Sequence, residues 1–353
     1  MSKKLIKLNN KKIIGIKKIN ELFEHIYYKE IDVLGHVLRG DFYLDTFNYF
    51  PITNKDLYTF PPYFDWQNQR KKFYSQSFEE NFFKKKIIKE ISNAYVLGTN
   101  PSGNYFRNIF TFLNRLFFIS EKEVNIAIHR NTPNNIRHFI KFILGRRKIK
   151  LIKFINLDDG FYFFRNSFVP SFLDLKGVIK LYQFFFPIFE KANMDNIFIS
   201  RRNARWRKII NENEFYSHLK DNNFNIIELE NLNIEDQISM IQSAKKIISP
   251  HGSGLTNLIF ANPNINIIEI IEKNIGDKLS PIYNKYKKIS NYKKNKHNFF
   301  GADLINNDFN FSSGYSNISK YISEKTLLNS NYYKNFLLKE SDFKNLITNF
   351  SKY

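Results

Sequence analysis

The string SPHGSGLTN at 249–257 is the part of this 353-residue chain best suited to holding an anion. Gly252 and Gly254 let the backbone turn tightly and approach a ligand with no Cβ in the way. Ser253 and Thr256 add hydroxyls, and Leu255 and Asn257 lead into the apolar segment LIFA. Free amides where a strand passes into a helix suit a phosphate or diphosphate. His251 would add a donor directed into the same crevice. A bare glycine turn with a structural histidine would use the same letters.

A second string, SRRNARWRKIINENEF at 200–215, sets Arg201, Arg202, Arg205 and Arg207 within seven residues. Guanidinium forks grip phosphate or carboxylate bidentately, which a Lys ammonium does less well. The cluster is local in a chain that otherwise prefers Lys, and one or two of its four arginines are expected to touch ligand. The alternative is a solvated basic loop.

Both strings need a frame. In the second half, NIFIS (196–200), FNIIELE (224–230), KKIIS (245–249) and INIIEII (265–271) read as strands. NENEFYSHL (211–219) and IEDQISMIQSA (234–244) read as helices, with capping-box spacing at Asn211/Glu214 and Asn233/Asp236. Such alternation with short links calls for a parallel sheet. In the first half AYVLG (94–98), VNIAIH (124–129) and KLIKFINL (150–157) read as strands. Asn104 caps a helix carrying Ile109, Leu113 and Leu116, and IRHFIKFIL (136–144) forms another. Residues 1–90, with turns at Pro51, Pro61 and Pro62, show no placeable strands. A helix over 176–192 is interrupted by Pro187. After 275 the periodicity fades, and KKNK (293–296) reads as a solvated loop. Phe343, Leu346, Ile347 and Phe350 mark a last helix. The expected division is an acceptor-binding domain at 1–180, a nucleotide-sugar-binding domain at 181–320, and a helical segment at 321–353 packing back on the first domain.

Hydrophobic residues make up 43 % of the chain, with 38 Phe and 20 Tyr, enough for the cores of two α/β domains. No run approaches the ~20 apolar residues that span a bilayer. The opening MSKKLIKLNNKKIIGIKKIN has no small-residue cleavage site and does not read as a secretory leader. Zero Cys excludes disulfides and thiolate metal sites and fits a reducing cytoplasm. The formal net charge of +21 attracts polyanions or anionic lipid. A compositional bias toward Lys, Asn, Ile and Phe would account for part of it.

The segments ISRRNARWRKIINENEF, IEDQ and HGSGLTNLIFANPNINIIEI resemble the C-terminal signature of the family-61 glycosyltransferases, in the branch that builds bacterial surface polysaccharide. Ser253 stands where the family usually has Ala, and Asp236-Gln237 stands for Glu-Gln. Further upstream GNYFRNIFTFLNRL (103–116) matches less fully. Asn104, Tyr105 and Arg115 agree. Arg107 replaces a His, Asn108 a Trp, and Thr111 an acidic residue.

The resemblance implies an α/β chain of GT-B architecture, two Rossmann-like doubly wound domains facing a central cleft. It also implies inverting transfer from a nucleotide diphosphate-sugar, a UDP-sugar foremost, to a glycan or lipid-linked glycan, with no cofactor and no metal. Arg201, Arg202, Arg205, Gln237 and the loop 252–257 would bind the donor, and Glu269 its ribose. Asn104, Tyr105 and Arg107 would meet the acceptor. Asp158, Asp159 and His251 are the candidate catalytic residues, since the acceptor hydroxyl needs a base; a polar turn ahead of Gly160 would use the same two aspartates. A cytoplasmic protein, peripheral to anionic membrane and without a nucleic-acid partner, is expected. The competing expectation is a basic, non-catalytic module for nucleic acid or acidic polysaccharide.

Overall fold

A computed structural model of the protein describes residues 23–46, 49, 51–52, 87–100, 104–187, 194–273, 281–306, 329–348 and 350. The Lys-rich opening, Pro61, Pro62, Gly103 and the far end of the helix expected to reach 192 lie outside these residues. The chain divides into two units, Met1–Phe185 and Phe186–Tyr353. Among the described residues no helix is long and apolar enough to cross a membrane.

The first unit is built on one sheet. Its strands are β1 (Phe23–Tyr28), β2 (Val33–Asp45), β3 (Pro51–Ile52), β4 (Glu90–Ser92), β5 (Tyr95–Val96), β6 (Glu123–His129), β7 (Lys150–Leu157) and β8 (Phe161–Pro170). They run in the order β1-β2-β8-β5-β6-β7, with β3 on β2 and β4 on β8. β5, β6 and β7 are parallel, as alternating strand and helix require. β2 is antiparallel to both β1 and β8, so the sheet is mixed and departs from the doubly wound domain expected. The cause is β2, which the sequence reading left unplaced: Val33, Gly35 and Val37 are buried while Leu34 is exposed, the period-2 pattern of a strand covered on one face. Helix α1 (Asn134–Arg146) buries Ile136, Phe139, Ile140 and Ile143, one helical stripe. Helix α2 (Leu175–Phe185) stops ahead of Pro187, which cannot donate a helical hydrogen bond. Between β5 and β6 the Asn104 side chain accepts from the Arg107 amide at 3.0 Å and starts a helical run. All residues of that run from Asn108 to Phe118 are buried.

The second unit has strands β9 (Asn196–Ile199), β10 (Phe224–Ile227), β11 (Lys246–Pro250), β12 (Asn266–Glu272), β13 (Lys296–Ile305) and β14 (Asn335–Leu337), ordered β10-β9-β11-β12-β13-β14. The first five are parallel and β14 closes the edge antiparallel. Its helices are α3 (Tyr216–Asp221), α4 (Ile234–Ser243), α5 (Pro281–Tyr292) and α6 (Glu340–Thr348). Phe198, Ile248, Ile268 and Ile270 share one core with Phe215, Leu219, Phe343 and Leu346. Alternate residues of the same strands, Ile197, Ile247, Ile267 and Glu269, point to the opposite face.

Three expectations need correction here. Asn233 caps α4 as its spacing predicts, accepting from the Asp236 amide at 2.8 Å. Asn211 caps nothing; its amide exchanges hydrogen bonds with the Leu338 backbone at 3.0 and 3.2 Å and ties the end of β14 down. KKNK is only half solvated: Lys294 and Lys296 are exposed, but Lys293 is 6 % exposed, and burial pushes its ammonium down to about 8. The last helix, expected to return to the first domain, instead packs Phe343 against Phe215 and Phe198 of the second unit, at 4.7 and 6.3 Å between centroids. Pairing of β14 with β13 delivers α6 to that face.

Candidate functional site

Strand order in the second sheet reverses between β9 and β11: β10 lies on one side and β12 and β13 on the other. In open α/β sheets the crevice beyond the carboxyl ends of such a pair is where ligands bind. The Arg segment leaves β9 at that point and the glycine string leaves β11. The two strings touch: a Cβ built on Gly252 would lie 2.0 Å from Arg201 Nη1 and 2.4 Å from Cζ. Gly252 has an extended backbone, so what it supplies is room for the guanidinium.

The Arg segment is anchored from below. Ser200 Oγ donates to Glu212 Oε1 at 2.5 Å and Tyr216 Oη donates to the same oxygen at 2.8 Å. Burial raises the Glu212 carboxyl. Ser200 Oγ also accepts from the Arg202 amide at 3.2 Å. Arg201 Nη2 donates to the Trp206 carbonyl at 3.2 Å. Arg207 adopts a left-handed backbone, φ 58°, that turns its side chain inward, and only 6 % of the residue is exposed. Its Cζ sits 4.1 Å from the centre of the Tyr332 ring.

Four buried donor atoms here have no hydrogen-bond partner among the described residues: Arg201 Nε, Arg207 Nε and Nη1, and Thr256 Oγ1. Leaving such a group unsatisfied costs about 1–3 kcal/mol, more when it is charged. Burial, and then the neighbouring Arg207, lower the Arg201 pKa to about 10. Burial alone would raise the Tyr332 phenol, but Arg207, Lys285 and Arg201 outweigh it and bring it below its ordinary value. The site is a concentration of positive charge with guanidinium and hydroxyl donors left without partners among the described residues.

His251 stands beside this group, fully buried, with Tyr286 at 5.3 Å and Tyr332 at 6.0 Å from its ring. Its Nδ1 bonds to Glu269 Oε1. Glu269 Oε2 bonds to His297 Nε2 at 2.9 Å, and His297 Nδ1 to Ser290 Oγ at 2.7 Å. Burial holds His251 well below the usual imidazole range. Burial would raise Glu269, yet its interactions with His251 and His297 hold it below the usual carboxylate range. With both oxygens on imidazoles and no exposure, Glu269 does not reach a ribose as the sequence suggested.

The other expected donor contacts separate. Arg202 forms an ion pair with Glu228, and Arg205 is exposed. Gln237 donates to the Leu229 and Leu232 carbonyls at 2.9 and 3.1 Å and accepts from Asn257 Nδ2 at 3.0 Å, so this pair fastens the loop to α4. Leu255 is core, and Ser253 is partly exposed. A Cβ on Gly254 would meet Leu229 Cδ1 at 3.0 Å, which is tight packing within the fold. The sequence reading named Arg207 in its segment but left it out of the site. It missed Lys285, Tyr286, Ser290, His297 and Tyr332, for which no local motif gives a signal.

In the first unit, Asn104, Tyr105 and Arg107 lie on the run after β5, and Asp158 and Asp159 directly follow β7. Thr99 Oγ1, just beyond β5, accepts from the His129 amide at 3.0 Å, and His129 Nε2 bonds to Asp159 Oδ1 at 3.1 Å. Asp158 pairs with Arg130 at 2.9 Å on the surface. Asn108 Oδ1 accepts from the Asn100 amide at 2.9 Å, so the residue replacing an aromatic has become a structural brace. Asn104 is a cap, Tyr105 and Arg107 are partly exposed, and Thr111 is buried. Arg115 is enclosed, donating to the Leu97 carbonyl at 2.9 Å and lying 3.7 Å from the Phe172 ring centre.

The sequence pattern of the family described as Glycosyltransferase 61 matches residues 40–268. No curated protein matches the chain.

Proposed function

This chain belongs to the glycosyltransferase 61 family, and from that premise we propose that its second unit binds a nucleotide diphosphate-sugar for inverting transfer to a glycan acceptor. The observation that carries the reading is the set of idle donors on Arg201, Arg207 and Thr256 around Gly252. A diphosphate supplies the acceptor oxygens those donors lack, and hydrogen bonds from guanidinium to phosphate are charge-assisted and strong. When the sugar–phosphate bond breaks, negative charge grows on the diphosphate. Fixed guanidinium groups in a site shielded from water stabilise that charge without reorganising.

Attack by the acceptor hydroxyl on the anomeric carbon releases one proton. Of the two candidate carboxylates, Asp159 suits the base better. Its Oδ1 is held by the buried His129 while 46 % of its side chain is exposed, whereas Asp158 is engaged by Arg130. A uridine diphosphate-sugar as donor, a free or lipid-linked surface glycan as acceptor, and peripheral attraction to anionic membrane complete the proposal. The net charge of +21 favours the last of these.

The test is calorimetry of the full chain with uridine, guanosine and adenosine diphosphates against the matching nucleosides. At least one diphosphate is expected to bind tenfold or more tightly than its nucleoside, about 1.4 kcal/mol. Equal affinities for all three pairs would overturn the diphosphate assignment.

A further inference from the structure

Behind His251 runs a row of side chains that extends beyond the residues matched by the family: Glu269 on β12, His297 on β13 and Ser290 on α5. All are shielded. His251, Glu269 and Ser290 are 0 % exposed and His297 is 4 %. Parallel pairing sets His297 opposite Ile267, one step diagonally from Glu269, so the sheet itself brings the two together.

The protons in this row can be assigned from its ends. An ionised carboxylate only accepts hydrogen bonds, so the nitrogens that face Glu269, His251 Nδ1 and His297 Nε2, both carry hydrogen. A neutral imidazole has one N–H. Where the His297 ring is neutral, Nδ1 accepts, and the Ser290 hydroxyl, which has a hydrogen to give, donates to it at 2.7 Å. By the same count His251 Nε2, the nitrogen turned away from Glu269, is bare. The charged groups that act on His251 from its other sides are Arg207 and Lys285, and both oppose a second proton.

We propose that Ser290 and His297 are positioning residues that fix Glu269 and thereby hold His251 in its Nδ1–H tautomer, presenting Nε2 to the donor as a hydrogen-bond acceptor. The inference rests on the donor-site reading above and sharpens it. Arg201 and Arg207 take the diphosphate, and His251 takes a hydroxyl of the nucleotide-sugar rather than donating to phosphate. Removing Ser290 or His297 frees the row to rearrange although neither residue touches substrate.

Long-range nitrogen–proton NMR on the full chain with labelled histidines reads this directly, His251 being assigned by its loss in His251→Asn. The wild type is expected to show His251 with Nδ1 protonated and Nε2 bare from pH 6 to 8, without and with saturating uridine diphosphate. His297→Leu and Ser290→Ala should convert that signature to a tautomer mixture. His297→Gln, whose amide can still donate to Glu269, should keep it. Ser290→Ala removes a single hydroxyl, so it decides the matter if His297→Leu does not fold. An unchanged His251 signal in Ser290→Ala and in any folded His297→Leu protein would overturn the proposal, as would a proton on Nε2 in the wild type. If uridine diphosphate moves no histidine signal, it is the uridine donor assignment that fails, and the ligand-free spectra still decide the row.

Discussion

The guanidinium of Arg201 occupies the space a side chain on Gly252 would need, 2.0 Å from where its Cβ would be. That relation joins two segments fifty residues apart and gives the glycine a purpose different from the usual one. A methyl group there would push out a cation and leave the backbone angles alone.

Gly252→Ala should therefore weaken nucleoside diphosphate binding at least tenfold, about 1.4 kcal/mol, while the chain still folds. Gly254→Ala should act on packing instead, because its Cβ meets Leu229 at 3.0 Å. Titration calorimetry and melting curves on the two variants separate these outcomes. Wild-type affinity in Gly252→Ala would remove Arg201 from the site.

Arg207→Ala should lose more than tenfold in the same titration, and Arg202→Ala less than threefold. Arg207 is buried with two idle donor atoms, whereas Arg202 is half-exposed and already paired with Glu228. Exposed ion pairs are screened and contribute little. Equal losses in both variants would point to general electrostatic attraction in place of a formed site.

Acid should destabilise the protein through His251. Its folded pKa of about 3 lies below the ordinary value near 6.5, so between these limits the unfolded chain binds a proton that the folded chain refuses. Stability is retained above the ordinary value and lost as pH falls through this window, by up to about 1.4 kcal/mol per pH unit for the one group. Urea unfolding at pH 7, 6 and 5 should show a shallower decline in His251→Asn than in the wild type. Parallel slopes would mean that His251 is already protonated in the folded protein.

Phe343→Ala should cost about 3–5 kcal/mol of unfolding free energy, the usual range for an aromatic removed from a packed core. Phe343 is fully buried among Phe198, Phe215 and Phe300. A change below 1 kcal/mol in urea denaturation would show that α6 does not belong to that core.

Much of the frame was legible because local pattern and tertiary burial agreed. β7 occupies the KLIKFINL segment read from the sequence, and α4 begins where Asn233 caps it. Elements failed to show where they are narrow or mixed. Helix α5, PIYNKYKKISNY, turns Tyr286, Ile289 and Ser290 inward amid lysines, and its mean hydropathy is low. β13 shows no clean alternation of buried and exposed residues. The site followed the same rule. His251, Gly252 and Arg201 sit in compact strings, while His297, Ser290 and Tyr332 reach the site only through pairing across the sheet, which one-dimensional spacing does not record. Arg207 was visible but undervalued, since only a left-handed turn points it inward.

The segment after residue 329 has two tasks at once. Tyr332 covers the Arg207 guanidinium, and the strand and helix that follow, β14 and α6, complete the hydrophobic layer under the sheet. Shortening the chain from this end would strip a wall from the proposed donor site and a face from the core in the same cut. Deletion mapping would then report loss of any donor binding and loss of folding together. Only single-residue changes can tell the two tasks apart.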